Sequence, residues 1–357
     1  VAEVTMSDTP ITSAAVDTAP DPAPASAPRK RADMAPPAQE TQSPAAVALG
    51  RQARRPHEIP WAGWKRVIGR TATEIITDRV SLVAAGCAFY ATLALFPTIS
   101  MFISIYGLAF DPTTVEPQLA ALRDLLPPSA FTLISDRIHV LVSKPPGTLT
   151  FSLVVSIAIA LWSSATGTKS ILGALNLAYE EREKRSFINF QLTAFAMTLC
   201  GMVAASIGIA LLVLLPAVES FVGISEGAQA LARLASFGML IFFVLLALSM
   251  LYRFGPSRRS ASWHWVTPGA ILATVLWLAA SALFSYYVGH LASYDATYGP
   301  LGAVIGVMMW FYVTAYVVLV GAELNAELEL QTVRDSTGEP EKIIGRRGAY
   351  VADHVAK

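Results

Sequence analysis

Apolar and polar positions divide this chain into a few long blocks. Six apolar runs, at about 81–108, 149–168, 189–215, 234–252, 267–288 and 301–322, each reach the ~20 residues that a helix needs to cross a hydrocarbon core. Thr267-Pro268 and Gly299-Pro300 suit the starts of the fifth and sixth runs, and Pro216 suits the end of the third. Ahead of the first run, Trp61, Trp64, Ile68, Ile75 and Ile76 recur at near-helical spacing, with Lys65, Arg66 and Arg70 among them. That pattern predicts a short amphipathic helix within 57–80, lying in the membrane interface before the first span. The segment 109–148 is too long for a bare connection. Leu119, Leu122 and Leu126 mark one short amphipathic helix there; Phe131, Ile134, Ile138 and Leu141, after Pro127-Pro128, mark a second.

Residues 1–56 are rich in proline and alanine, and no aromatic residue precedes Trp61. Such a segment buries too little surface to offset its ordering entropy, so a disordered tail is expected. Residues 81–330 form the membrane domain on this reading, and 331–357 a second tail. Residues 1–60 hold no apolar core of the kind a secretory signal needs, so the first span is expected to direct insertion itself.

Composition agrees with a membrane chain: 54% of the 357 residues are hydrophobic and 15% charged, against about 25% charged in soluble proteins. The net charge of zero hides an asymmetry. With the N-terminus inside, the inner segments carry seven Lys and Arg in 51–80, three in 180–188, three in 253–264 and five after 322. The outer segments carry three in 109–148, one in 216–233 and none in 289–300. The positive-inside rule therefore predicts six transmembrane helices of an all-α integral membrane protein, with both termini cytoplasmic.

The candidate chemistry is sparse. Cys87 and Cys200 lie inside apolar runs without paired spacing and read as inert thiols. His57, His139, His264, His290 and His354 are scattered, with no HxH or HxxxH, so no metal, cofactor or catalytic residue is expected. Near the inner boundary, Arg79, Lys169, Asn176, Arg253, Glu323 and Asn325 form a candidate polar layer. Glu323 sits in the last turns of its run, where the helix dipole is unfavourable to an acid, so Lys169 or Arg79 is its expected partner. The layer either clamps helix ends, as snorkelling charges do, or gates a cavity. On the outer side, Tyr286 and Tyr287 lead to His290, Tyr294, Asp295 and Tyr298, which read as an aromatic belt or as a lip for a polar headgroup. Pro97 predicts a kink in the first span, and Gly302 with Gly306 a close helix crossing.

Four stretches, taken in order, resemble the YihY/BrkB family of bacterial inner-membrane proteins: "AAGCAFYATLALFP" (84–97), "WSSATGTKSILGALNLAY" (162–179), "WVTPGAILATVLWLAASALFSYYV" (265–288) and "YGPLGAVIGVMMWFYVTAYVVLVGAELNAE" (298–327). The resemblance covers about 60–330. It departs from the family where the chain reads "EEREKRS" after Tyr179, and at Pro300. It implies a six-helix membrane domain in the inner membrane and a name tied to virulence. Some members of the family once bore the label ribonuclease BN. The scattered histidines and the lack of net positive charge speak against a nuclease and against nucleic acid as a partner. Two classes remain: a transporter or flippase of an amphipathic, anionic or lipid-linked substrate, and a scaffold in the membrane that moves nothing. Membrane lipids are partners on either reading.

Overall fold

A computed structural model describes residues 32–34, 43–109, 149–209, 226–290 and 300–356. Among them the chain is mostly helical. Strand β1 (Ala32–Met34) precedes α1 (Pro44–Ala48), a 3-10 turn (Pro56–Glu58) and α2 (Trp61–Thr77). The long helices follow: α3 (Val80–Ala109), α4 (Leu149–Ala178), α5 (Phe187–Ile209), α6 (Glu226–Phe254), α7 (Trp263–His290) and α8 (Pro300–Gln331). The short α9 (Tyr350–Asp353) and β2 (His354–Ala356) end the described chain. The expected helices of 109–148 lie outside the described residues, as does Pro216.

Helices α5, α6, α7 and α8 each contain a stretch long and apolar enough to cross a membrane; counting α2 and α3 as one bent span brings the described total to five. The long helices touch in cyclic order, α3 to α4 to α5 to α6 to α7 to α8 and back to α3, with α8 also reaching α4. Neighbours in sequence are thus neighbours in space, as short connections require. Outward-facing side chains such as Leu93, Leu192, Val203, Phe242 and Leu283 are apolar.

Helix α2 meets α3 at 61°. Arg79 makes the turn with φ 51°, in the left-handed region, and its N–H donates to the Ile76 carbonyl at 3.1 Å. Gly63, Val67 and Thr71 are buried on α2, and Trp64 and Ile75 pack partly against the core. Trp61, Ile68 and Ile76 instead face outward. The spacing alone grouped all five large apolar residues together; the fold shares them between two faces.

The described part of the two tails is ordered. β1 pairs antiparallel with β2, Asp33 opposite Val355. Arg51 donates to the Ala356 carbonyl at 2.9 Å, and Thr332 Oγ1 donates to the Ala53 carbonyl at 2.6 Å. Both tails wrap one end of α8, and this brings the two described chain ends to the same side of the bundle. Individually poor in apolar surface, these segments are ordered by backbone groups that find partners on each other and on α8.

Helix α7 starts at Trp263, five residues before Pro268. Proline has no N–H to give the His264 carbonyl four residues back. At the same turn a side chain from α8 meets Val266 and Gly269, as described below. Helix α8 begins at Pro300 as its sequence signal predicts, and α3 runs on through Pro97.

Candidate functional site

The last third of α8 has an unusual sequence for a buried helix: Glu323, Asn325, Glu327, Glu329 and Gln331 alternate with apolar residues, and every residue from Gly321 to Gln331 is buried. Successive helical residues are about 100° apart, so alternate positions do not share one face. Glu323, Glu327 and Gln331 fall on one side of α8, and Asn325 and Glu329 on the opposite side. Burying both sides requires polar partners all round.

On the first side, Arg70 of α2 donates to the Glu327 carboxylate at 2.6 Å and to Gln331 Oε1 at 2.9 Å. Gln331 Nε2 in turn donates to the Leu49 carbonyl at 2.7 Å. On the opposite side, Arg258 makes a two-pronged pair with Glu329, both contacts at 2.8 Å and both side chains fully buried. Ser336 Oγ donates to Glu329 Oε2 at 2.6 Å. The Arg258 guanidinium lies 4.1 Å from the centre of the Tyr179 ring. Burial drives the Tyr179 phenol above its usual range, against the pull of Arg258, so it stays protonated.

Asn325 spans the start of α7. Its Oδ1 accepts from the Gly269 N–H at 2.7 Å, and its Nδ2 donates to the Val266 carbonyl at 3.1 Å. Here α7 and α8 come closest. A β-carbon on Gly321 would stand 2.6 Å from the Gly269 carbonyl oxygen and 2.9 Å from Ala273 Cβ, and would also meet the Tyr252 hydroxyl. That hydroxyl donates to the Val318 carbonyl at 2.8 Å. At Gly306 a β-carbon would meet no described heavy atom within 4 Å. A close crossing sits at Gly269 and Gly321, at the other end of α8 from Gly302 and Gly306; Gly302 lies in the first turn of α8, outside the described side chains.

Asn176 holds the loop after α4: Nδ2 donates to Glu183 at 2.9 Å, and Oδ1 accepts from the Ser257 N–H at 2.7 Å. The turn that leads there puts Glu180 at φ 55°, where glycine is usual, with Glu181 N–H reaching the Asn176 carbonyl at 2.7 Å. Burial pushes the Glu183 carboxyl up, but Arg185, Asn176 and Ser257 outweigh it and hold it at about 2. Arg253 donates to the Ala261 carbonyl at 2.7 Å and stacks over Trp263 at 4.6 Å.

The six candidates of the polar layer thus do not converge on one contact. Asn176, in α4, clasps the loop that follows it, and Asn325, in α8, clasps the first turns of α7. Arg79 is exposed at the α2–α3 bend, while Glu323 is buried near enough to Tyr179 to bear on its phenol. The Lys169 ammonium lies 4.9 Å from the centre of the Trp162 ring. Tyr294, Asp295 and Tyr298 lie outside the described residues; His290 closes α7 with its side chain outside them, and Tyr286 and Tyr287 face outward. Arg70, Arg258 and Glu329 were missed by the sequence reading. The signal for them was the alternation of acids through a stretch that the apolar count would otherwise bury.

The family description "Virulence factor BrkB" matches residues 71–343, from inside α2 to beyond α8. The chain belongs to the virulence factor BrkB family. Among its relatives, the ribonuclease-like protein YfkH of Bacillus subtilis (strain 168) is 32% identical over 69% of this chain and 88% of its own length. A UPF0761 membrane protein of Pseudoalteromonas translucida (strain TAC 125) is 25% identical over 76% of this chain and 88% of its own. Another, from Alkalilimnicola ehrlichii, is 29% identical over 70% of this chain and 55% of its own. No solved structure matches. The match covers the helical ring and the buried end of α8, while Arg70 and the N-terminal tail segment that meets that end lie outside it. Among the described residues of this BrkB chain, no three His, Cys, Asp or Glu side chains group to hold a metal ion.

Proposed function

We propose that this BrkB-family chain crosses the bacterial inner membrane six times with both termini cytoplasmic, and moves an amphipathic substrate whose anionic headgroup follows a polar seam while its tails stay in lipid. Helices α3 and α4, 30 residues each, supply the first two spans on this reading. The shared side of the two chain ends supports an even number of crossings, and the basic inner segments support the cytoplasm as that side.

The observation that carries the proposal is Glu323, a carboxylate 1% exposed in a helix apolar enough to span the bilayer. Ionisable groups at such positions are costly and, where they lie within the membrane, mark substrate or ion pathways. Along the α3–α4–α8 seam lie two polar pairs, Ser81 with Tyr312 at 2.8 Å and Thr98 with Ser164 at 2.6 Å. A purified protein reconstituted in vesicles should speed the flip of fluorescent phosphatidylglycerol over protein-free vesicles, and Glu323→Gln should slow it several-fold. Equal rates with and without protein, across anionic and zwitterionic lipids, would sink the proposal.

The clasped cap favours the second reading, a scaffold that moves nothing. Gln331 to Leu49, Thr332 to Ala53 and Arg51 to Ala356 tie the two tails to the end of α8 and to each other with a rigidity suited to presenting them to a partner. On that reading, Glu323→Gln leaves the cellular phenotype intact while loss of the cap abolishes it.

A further inference from the structure

We propose that the outward side of α2 docks on the anionic headgroup layer of the membrane leaflet beside the two tails, with an apolar stripe seated among the upper acyl chains. Helical residues advance by about 100°, and on that count α2 has three faces. Gly63, Val67 and Thr71 form the buried one, and α2 packs on α8. Trp61, Ile68, Ala72 and Ile76 form a second face, and all four are exposed. Trp61 is 68% exposed, Ile68 49% and Ile76 78%, so no described part of the protein covers this stripe. Arg66 and Thr73 lie on the third face, also exposed. A helix wholly in water has no use for the second face, and a helix wholly in hydrocarbon has none for the third.

The bend at Arg79 decides how these faces lie. Helix α2 meets α3 at 61°, so with α3 upright in the bilayer α2 lies nearer the membrane plane than the membrane normal. The free charge on its outward side has one sign. Lys65, at the edge of the stripe, holds its ammonium 5.8 Å from the centre of the Trp61 ring. Arg66 and Arg79 are exposed, and among the described residues none of these three cations is in an ion pair. Arg70, the remaining cation of α2, is turned inward to Glu327 and Gln331. Free cations beside an exposed tryptophan and an apolar stripe complement an anionic headgroup layer. A second copy of the chain on this face would set like charges against each other. Because Arg70 holds the inner side of α2 to α8, what α2 gains at the membrane also secures the buried end of α8.

The surface rests on the proposed function only for which leaflet it meets, and the contact itself needs no transport. The test uses the full chain in nanodiscs of phosphatidylcholine, alone or mixed with phosphatidylglycerol. Spin labels go on Arg66→Cys, Ile68→Cys, Thr73→Cys and Ile76→Cys, each combined with Cys87→Ala and Cys200→Ala. Collisions with oxygen and with a water-soluble nickel chelate read their depth. Labels at 68 and 76 are expected to favour oxygen, and labels at 66 and 73 the chelate. Four labels open to the chelate would put α2 in water, four closed to it would make α2 part of a bent span, and either result overturns the docking. Thermal melts in the two kinds of disc read the charge. Phosphatidylglycerol is expected to raise the wild-type melt by about 2–4 °C at low salt, with the gain lost at high salt and in Lys65→Gln combined with Arg66→Gln. No gain in wild type, or an equal gain in that double variant, overturns the anionic occupant. Labels and melts as expected, in a protein that flips no lipid in vesicles, would sink the transport reading and leave the surface standing.

Discussion

Replacing Gly321 with alanine tests the packing on which the buried end of α8 depends. The added β-carbon would stand 2.6 Å from the Gly269 carbonyl oxygen and 2.9 Å from Ala273 Cβ. Both neighbours are held by helix backbone, so α7 and α8 must separate by roughly 1 Å to reach ordinary contact, and overpacking of this kind costs about 1–3 kcal/mol. The same separation stretches the two hydrogen bonds from Asn325 to Gly269 and Val266, and each buried group left unsatisfied costs about 1–3 kcal/mol. Allowing for partial relaxation, the loss is roughly 3–5 kcal/mol, a large part of the 5–15 kcal/mol that holds a typical domain. At about 2 °C per kcal/mol for a chain of this size, the melting temperature falls by roughly 6–10 °C. The assay is a thermal melt of purified protein in one detergent, with Gly306→Ala as control. That control fills open space, gains about 1 kcal/mol of helix propensity, and leaves the melt unchanged or raised. Tyr252→Phe removes one of the atoms the new methyl meets and should partly rescue Gly321→Ala. A melt of Gly321→Ala within about 2 °C of wild type refutes the claim that these helices touch through their backbones.

Other outcomes follow from the same structure. Glu329→Gln breaks a fully buried pair and should destabilise by about 3–5 kcal/mol, whereas Arg258→Met with Glu329→Leu recovers most of that loss; the melts of single and double variants check it. Arg79→Gly relieves a side chain from the left-handed region and should stabilise by about 1 kcal/mol; if it lowers flipping while raising the melt, Arg79 serves the substrate. Glu183 has a folded value of about 2, below its unfolded 4.5, so its contribution is present above pH 4.5 and lost as pH falls toward 2. Wild type should lose more stability than Glu183→Gln across that window, read by melts at stepped pH. Tags at the two chain ends should report one compartment, and opposite compartments would remove the even number of crossings.

The long apolar helices were legible in the sequence because crossing a membrane demands about 20 apolar residues whatever the neighbours are, and α3 to α8 fall on the six runs that hydropathy marks out. The family was legible too, since its motifs lie inside those runs. The site was legible only in outline. Asn325 and Glu323 stand out as polar residues in an apolar helix, and the sequence pairs Glu323 with Lys169 or Arg79 because all three stand near the inner boundary. The structure turns Lys169 toward Trp162 and continues α4 to Ala178 and α8 to Gln331, well past the apolar boundary. Glu327 and Glu329 meet Arg70 and Arg258, 257 and 71 positions away in sequence, and no local period connects residues so far apart. Hydropathy is set by each residue's own transfer energy, so the sequence by itself determined which segments leave water. Which charges meet depends on how α2, α7 and the two tails close around α8, and that was decided only by the tertiary structure.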